Sequence, residues 1–280
     1  MVARSPSDER SELAAAPSDG SLHVREFGAG APLLFVHGIA SSNGAWGRSF
    51  DALGEQFRVL AVDLLGFGQS PKPDADYTAD QHATFIERTL DERQVNGACL
   101  LVGHSLGALI CLRLLRRDPE RYSGAVLVAP PIYADEATAR RRIAGIGFGA
   151  RLFALDHIGA RVACQLMCRF PALVRVGQRL AHVDGAISGP APHTWNSYSR
   201  SLRAVVLSGS AAGDLAELTQ PVIVVIGTDD QVVDVEFVAS IADSNPQVEV
   251  EFIAGAAHAL GSSRIQDACI AAILRITQQT

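Results

Sequence analysis

The pentapeptide Gly-His-Ser-Leu-Gly at residues 103–107 follows a short apolar run at residues 99–102 and opens a segment of helical periodicity at residues 106–117. A G-x-S-x-G sequence between a strand and a helix predicts a sharp turn that lifts the hydroxyl of Ser105 clear of a sheet. Glycines on both sides remove the Cβ atoms that would collide with the neighbouring strand and helix. The alternative is a chance glycine-rich turn, which the strand and helix on either side disfavour.

Short apolar runs alternate with segments of helical periodicity along most of the chain. The predicted strands are residues 33–36, 57–62, 99–102, 125–128, 222–226 and 248–253, and the predicted helices are residues 80–93, 106–117, 235–242 and 262–276. Strands that alternate with helices form a mostly parallel sheet with helices on both faces. The sequence therefore predicts an α/β fold with a central sheet flanked by helices.

Five residues with catalytic chemistry come directly after predicted strands. They are His37, Asp63, Ser105, Asp230 and His258. In an open parallel sheet, active groups gather at the carboxyl ends of the strands. We therefore expect these side chains to lie at one edge of the sheet.

Ser105, Asp230 and His258 are the candidate catalytic residues. A serine hydroxyl needs a base to become a nucleophile, and His258 follows the last strand through a loop of small residues. An ionised carboxylate at Asp230 would orient the imidazole and stabilise its protonated form. Asp229 or Asp234 could replace Asp230, and His258 could instead be a loop histidine bonded to backbone.

The segment after the first predicted strand suggests an oxyanion site. The backbone N–H groups of Ile39 and Leu106 could together bind the oxyanion of a tetrahedral intermediate. Leu106 also begins a helix, where the dipole favours negative charge. His37 and His104 are expected to hold loops together and to pack, respectively.

Residues 131–210 differ in composition from the rest of the chain. They hold ten arginines and four acidic residues, a charge of +6, whereas the rest carries 14 basic and 26 acidic residues, a charge of -12. This shift predicts a helical cap at 131–210 inserted between core segments 21–130 and 211–280. Trp195 and Tyr198 could face a substrate pocket under this cap, although ordinary packing explains them equally well. The arginines could be solvated or pair with the acidic main domain. Alternatively, they could belong to an amphipathic lid that recruits apolar or anionic acyl substrates or rests on a membrane surface.

The composition excludes some classes of protein. A net charge of -6 and 19% charged residues argue against nucleic-acid binding, so the expected partner is a small-molecule substrate. The sequence contains no run of 18 apolar residues, so no membrane span is predicted. Residues 1–20 resemble a flexible extension rather than a secretory signal, and five scattered cysteines suggest reduced thiols without a metal site, so a cytoplasmic location is expected. The sequence gives no oligomeric state.

The chain resembles the α/β-hydrolase superfamily, in particular its cap-bearing esterase, C-C hydrolase and haloperoxidase-like branch. The motifs that carry the resemblance are His37-Gly38, the segment 63–70, the Ser105 turn, the segment 227–230 and the segment 255–258. The resemblance implies that Asp230 is the acid, that the residue after His37-Gly38 lends an oxyanion N–H, and that no cofactor is needed.

The same resemblance narrows the activity. Haloalkane dehalogenases and epoxide hydrolases of this fold use an aspartate nucleophile, and position 105 is serine. The leading expectation is hydrolysis of a carboxylic ester of a small hydrophobic substrate through an acyl-enzyme. The alternatives are carbon–carbon bond hydrolysis of ring-cleavage products and a non-catalytic ligand-binding protein on the same fold, because fold alone does not decide function.

Overall fold

The strands form one seven-stranded sheet in the computed structural model, which describes residues 20–146, 158–169 and 191–278. Its spatial order is β1-β3-β2-β4-β5-β6-β7, and only β1 is antiparallel to its neighbour among the described strands. The strands are β1 (Val24–Phe27), β2 (Ala31–Val36), β3 (Phe57–Val62), β4 (Cys99–His104), β5 (Tyr122–Val128), β6 (Val222–Gly227) and β7 (Val248–Ile253). The predicted α/β fold class is confirmed.

The central strands are apolar because both of their faces are covered. Every residue of β6 is buried, as are the last four residues of β2 and the first five of β4. Strands of a parallel sheet lie between helix layers, so they have no polar face. The edge strand β1 was not predicted, because its sequence Val-Arg-Glu-Phe is short and half charged.

A switch in chain direction places the site. The chain passes from β2 to β3 on one side and then crosses to β4 on the other side of β2. Loops that leave neighbouring strands in opposite directions open a crevice at their carboxyl ends. Val36 pairs with both Val62 and Gly103, so the segments that follow β2, β3 and β4 start at the same level.

Helices cover the sheet and agree closely with the predicted segments of the core. They are α1 (Ala79–Glu92), α2 (Leu106–Arg117), α3 (Glu136–Gly145), α4 (Ile158–Arg169), α5 (Trp195–Ser201), α6 (Ala211–Ala216), α7 (Val235–Ser244) and α8 (Ser263–Ile276). Thr78 caps α1 by accepting a hydrogen bond from the Gln81 N–H. The last turn of α2 carries Arg116 and Arg117, whose positive charges interact favourably with the negative end of the helix dipole.

The regular elements described between residues 131 and 210 are helical. They are α3, α4, α5 and the short π-helix Leu202–Val206 that continues α5. The division of the chain into a core and a cap stays a prediction. Residues 1–19 of the expected extension, and residues 147–157 and 170–190 of the expected cap, lie outside the described residues. No helix in the described part of the chain is long and apolar enough to span a membrane.

Candidate active site

Ser105 lies on the sharp turn that the sequence predicts. Its backbone has φ 53° and ψ -119°, a left-handed value that a side chain other than glycine rarely adopts. A Cβ atom at Gly103 would lie 2.6 Å from the Ala108 Cα, and one at Gly107 would lie 2.1 Å from the Val36 carbonyl oxygen. Both glycines are therefore required by the close approach of α2 to β4 and to the end of β2.

The structure brings the three candidate catalytic side chains together. His258 Nε2 lies 3.0 Å from Ser105 Oγ, and His258 Nδ1 lies 2.8 Å from Asp230 Oδ2. The loops after β4, β6 and β7 supply the three residues, so the contacts join positions 153 and 28 residues apart. A nucleophile, a base and an orienting carboxylate within hydrogen-bond reach form the arrangement of a serine triad.

Asp230 is held in its ionised form. Burial acts to raise the pKa of its carboxyl, but the hydrogen bond and charge of His258 and the N–H groups of Val233 and Val232 together lower it. Those two N–H groups donate to Oδ1 at 3.1 and 2.8 Å, which leaves Oδ2 for His258. Because a carboxylate only accepts, the imidazole carries its proton on Nδ1 and presents a lone pair at Nε2.

The two alternative acids make other contacts. Asp229 is exposed and accepts a hydrogen bond from the Thr228 hydroxyl. Asp234 precedes α7, where it accepts from the Phe237 N–H, and it pairs with Arg142 at 3.2 Å. Of the three aspartates weighed from the sequence, the structure brings Asp230 to His258.

The loop after β2 lies against Ser105. A Cβ atom on Gly38 would be 3.2 Å from Ser105 Cβ, so glycine lets this loop approach the nucleophile. In the described residues, neither the Ile39 N–H nor the Leu106 N–H donates a hydrogen bond to the protein. Leu106 is the first residue of α2, where backbone donors have no partner within the helix. Their role as oxyanion donors stays a prediction.

His37 links two loops as expected. Its Nδ1–H donates to the Gly38 carbonyl at 2.7 Å, and its Nε2 accepts from the Leu64 N–H at 2.9 Å. Burial lowers the pKa of His37 to about 4, so the ring is neutral at neutral pH. It therefore braces the loops after β2 and β3 and is not a second base.

Trp195 and Tyr198 pack on each other, and Tyr198 also packs on His193. Their rings stack with centroids 5.9 Å apart, and Tyr198 lies 5.8 Å from the His193 ring. These contacts agree with the packing explanation. A role for either residue in binding substrate stays a prediction.

Sequence reasoning missed a series of hydrogen bonds that joins the predicted insertion (residues 131–210) to the loop after β2. The Cys164 thiol lies 3.2 Å from His193 Nε2, and His193 Nδ1–H donates to the Ala191 carbonyl at 2.7 Å. The Ala191 N–H then donates to the Ala40 carbonyl at 3.1 Å, and Ala40 has a φ of 54°. No sequence motif signals these contacts, because each joins residues that carry no recognisable pattern.

One cavity of the described chain lies away from the triad. A cavity of about 530 Å³ is lined by residues at the amino ends of β2, β3, β4 and β5 and at the end of α8, the sheet edge opposite Ser105. Within the described ranges, no three His, Cys, Asp or Glu side chains are placed to hold a metal ion. Four of the five cysteines fall in this part with described side chains, and all four are buried.

Comparison with known proteins identifies relatives. The chain is 31% identical to a protein of Arabidopsis thaliana named probable lysophospholipase BODYGUARD 4, over 86% of this chain and 65% of that protein. It is 29% identical to a 2-(acetamidomethylene)succinate hydrolase of Mesorhizobium japonicum, over 85% of each chain. The chain thus spans less than two thirds of the plant relative's length.

A solved structure and a family profile agree with these relatives. The crystal structure of an E-2-(acetamidomethylene)succinate hydrolase matches 91% of this chain and 95% of its own, with a TM-score of 0.68 and 25% identity. The profile of the family described as having the alpha/beta hydrolase fold matches residues 31–262. The chain belongs to the α/β-hydrolase family.

Proposed function

We propose that this protein is a serine hydrolase that cleaves a carboxylic ester through an acyl-enzyme. The observation that carries the proposal is the contact of Ser105 Oγ with His258 Nε2 at 3.0 Å, with Asp230 at 2.8 Å from the other ring nitrogen. A base that faces the serine with a lone pair, and a buried carboxylate behind it, are the two requirements for activating a hydroxyl.

Acylation begins at Ser105. Its oxygen attacks the ester carbonyl while its proton passes to His258 Nε2, and the carbonyl becomes a tetrahedral oxyanion. The N–H groups of Ile39 and Leu106 stabilise that oxyanion, and the dipole of α2 adds to the effect. His258 then returns the proton to the departing alkoxide, so an alcohol leaves and an acyl-serine remains.

Deacylation repeats these steps with water. His258 takes a proton from the attacking water and returns it to Ser105 Oγ as the second tetrahedral intermediate collapses, which breaks the acyl–serine bond and releases the carboxylic acid. Asp230 stays ionised throughout, because its lowered pKa reflects stronger contacts to the carboxylate than to the acid form. It fixes the imidazole tautomer and stabilises the imidazolium of each step.

Two observations favour an acyl ester with an apolar chain. The plant relative is named a probable lysophospholipase, a name that denotes cleavage of a lipid ester. The insertion also carries apolar side chains between its arginines, and these would line a pocket for a medium-sized hydrophobic acyl group.

A second candidate rests on the bacterial relative. That protein, aligned over 85% of both chains, is named for hydrolysis of a succinate that bears an acetamidomethylene group, a small dianionic substrate. An anionic substrate of this kind would use the arginines of the insertion instead of its apolar side chains. Carbon–carbon bond hydrolysis of an acidic ring-cleavage product would make the same demand on the pocket.

Hydrolysis of p-nitrophenyl esters from acetate to dodecanoate tests the proposal. We expect turnover with an optimum at a medium chain length, and a fall of about 10⁴-fold or more in kcat for Ser105→Ala. Ser123→Ala is the matched control, because Ser123 lies at the opposite edge of the sheet and its loss should leave kcat unchanged. A marked preference for acetate, or activity on a dicarboxylic amide alone, would favour the second candidate.

A further inference from the structure

We propose that His104 is a positioning residue that holds the loop of His258 in the geometry needed for proton transfer. The inference rests on the proposed function of Ser105 and His258. His104 Nε2 lies 2.9 Å from the backbone carbonyl oxygen of His258. A carbonyl oxygen only accepts, so the ring of His104 donates.

The ring of His104 lies where the three catalytic loops meet. It precedes Ser105 in the chain, and its side chain reaches the loop after β7. A Cβ atom on Gly38 would lie 3.0 Å from His104 Nδ1, so the oxyanion loop touches the same ring on another side. One imidazole therefore contacts the loops of the nucleophile, of the base and of the predicted oxyanion donor.

The loop of His258 has few other anchors. Among the described residues, the ring of His104 makes the only hydrogen bond to the His258 backbone. The bonds that fix the preceding turn end at Gly255 and Ala256, and the next bond comes from Gln266 to the Leu260 carbonyl. Without His104, no other hydrogen bond in the described part of the chain would hold the His258 backbone.

A neutral ring suits this task. Burial, together with the nearby His258, lowers the pKa of His104 to about 3. The ring centroids of His104 and His258 are 5.3 Å apart, so a charge on His104 would oppose protonation of His258 during each proton transfer. His104 donates its hydrogen bond without carrying that charge.

The test compares His104→Phe with His104→Gln. Phenylalanine keeps the ring and removes the donor, whereas the amide of glutamine can place a donor near the position of Nε2. We expect kcat for the best p-nitrophenyl ester to fall about 10- to 100-fold in His104→Phe, because small displacements of a catalytic group cost this much. KM should change less than about 2-fold, and His104→Gln should recover most of kcat.

His82→Phe is the matched control. His82 is another fully buried imidazole, its pKa is also lowered to about 3 by burial, and the one described hydrogen bond of its ring goes to Ser201, which is not a triad residue. This variant should lose thermal stability and keep its kcat below its Tm. His104→Asn, whose amide is too short to reach His258, gives a second loss-of-donor variant if His104→Phe does not fold.

Three outcomes would overturn the inference. Wild-type kcat in a folded His104→Phe or His104→Asn would show that the bond does not matter, and parallel loss of kcat in His82→Phe would reduce the role of His104 to packing. Failure of a fluorophosphonate probe to label Ser105 in the wild-type protein would contradict the proposed function itself. Labelling of the wild type that slows in His104→Phe and recovers in His104→Gln would support the inference.

Discussion

The carboxyl edge of the sheet and the predicted insertion (residues 131–210) differ in how well the sequence predicts their contacts. At the sheet edge, Ser105, Asp230 and His258 each follow a strand within a few residues, and the parallel register brings the strand ends to one level. In the predicted insertion, Cys164 contacts His193, and Ala191 donates a hydrogen bond to the Ala40 carbonyl of the loop after β2. None of these residues lies in a strand, so no strand pairing sets their positions. Regular backbone pairing makes the position of a residue predictable, and helix packing on a surface does so far less.

The candidate catalytic residues lie at the sheet edge, whereas the predicted insertion contacts the loop beside them. The candidate catalytic residues depend on the sheet, which is buried and apolar along its central strands. The insertion meets the site through the Ala191–Ala40 bond, next to the predicted oxyanion donor Ile39. We therefore expect substitutions at the sheet edge to abolish activity and substitutions in the insertion to adjust it.

Among substitutions of the three neighbouring aspartates, Asp230→Asn should lower kcat the most. An amide at this position would no longer hold the proton on His258 Nδ1, and kcat should fall about 10⁴-fold with the fold intact. Asp229→Asn and Asp234→Asn are matched controls and should each lower kcat less than about 3-fold, because their carboxylates contact Thr228 and Arg142 instead. A loss of similar size in either control would mean that the acid is assigned to the wrong residue.

Two glycine substitutions compare the sheet edge and the predicted insertion by their effect on the free energy of unfolding. Gly107→Ala would place a Cβ atom 2.1 Å from the Val36 carbonyl, so the free energy of unfolding should drop by about 3 kcal/mol or more. Gly145→Ala meets no atom within 4 Å at the end of α3, and it should stabilise the protein by up to about 1 kcal/mol. Urea unfolding of both variants measures these changes, and a tolerated Gly107→Ala would contradict the packing described for the turn.

Acidification should weaken the core through its buried histidines. Burial lowers the pKa of His37 to about 4 and the pKa values of His82 and His104 to about 3, from an ordinary value of 6.5. Below pH 6.5 the unfolded chain binds protons at these rings and the folded chain does not until about pH 4. The free energy of unfolding is therefore full above pH 6.5 and falls as the pH is lowered through this window.

Urea unfolding at a series of pH values from about 7.5 to about 4.5 measures this slope. His82→Gln should make the slope shallower by the contribution of one proton, since one of the three rings is gone. An unchanged slope in that variant would mean that His82 does not titrate with a lowered pKa.

Cys164→Ala should have the smallest effect. It removes the hydrogen bond to His193, which should cost about 1 kcal/mol of stability and lower kcat less than about 3-fold. Cys111→Ala is a control for the loss of a buried thiol, because Cys111 lies within α2 in the core. A fall in kcat for Cys164→Ala as large as that for Asp230→Asn would place the insertion among the catalytic elements and would erase the contrast between the two regions.

Much of the core could be predicted because its patterns are local. Strands β3 and β7 and helix α2 have the predicted bounds, since each is a continuous apolar or amphipathic run that ends at a clear signal. Ser105 could be predicted from one pentapeptide, because the turn needs glycine at fixed positions. Asp230 was already the candidate acid from the sequence, with Asp229 and Asp234 left open as alternatives, and the structure brings its carboxylate to His258.

The contacts that escaped prediction are long-range. His104 was expected to pack, and its bond to the His258 carbonyl joins residues 154 positions apart. Strand β1 escaped because an edge strand with two charged residues lacks the apolar run of a buried strand. The arginines of residues 131–210 predict an insertion, which stays a prediction, and composition does not say where its helices pack.

The most direct test of the account is covalent labelling by a fluorophosphonate, followed by intact mass and peptide mapping. We predict a single adduct on Ser105 in the wild-type protein, an unlabelled Ser105→Ala variant, and labelling slowed by orders of magnitude in His258→Ala. An adduct on another residue, or a wild-type protein that is folded and remains unmodified, would contradict the assignment of Ser105 as an activated nucleophile.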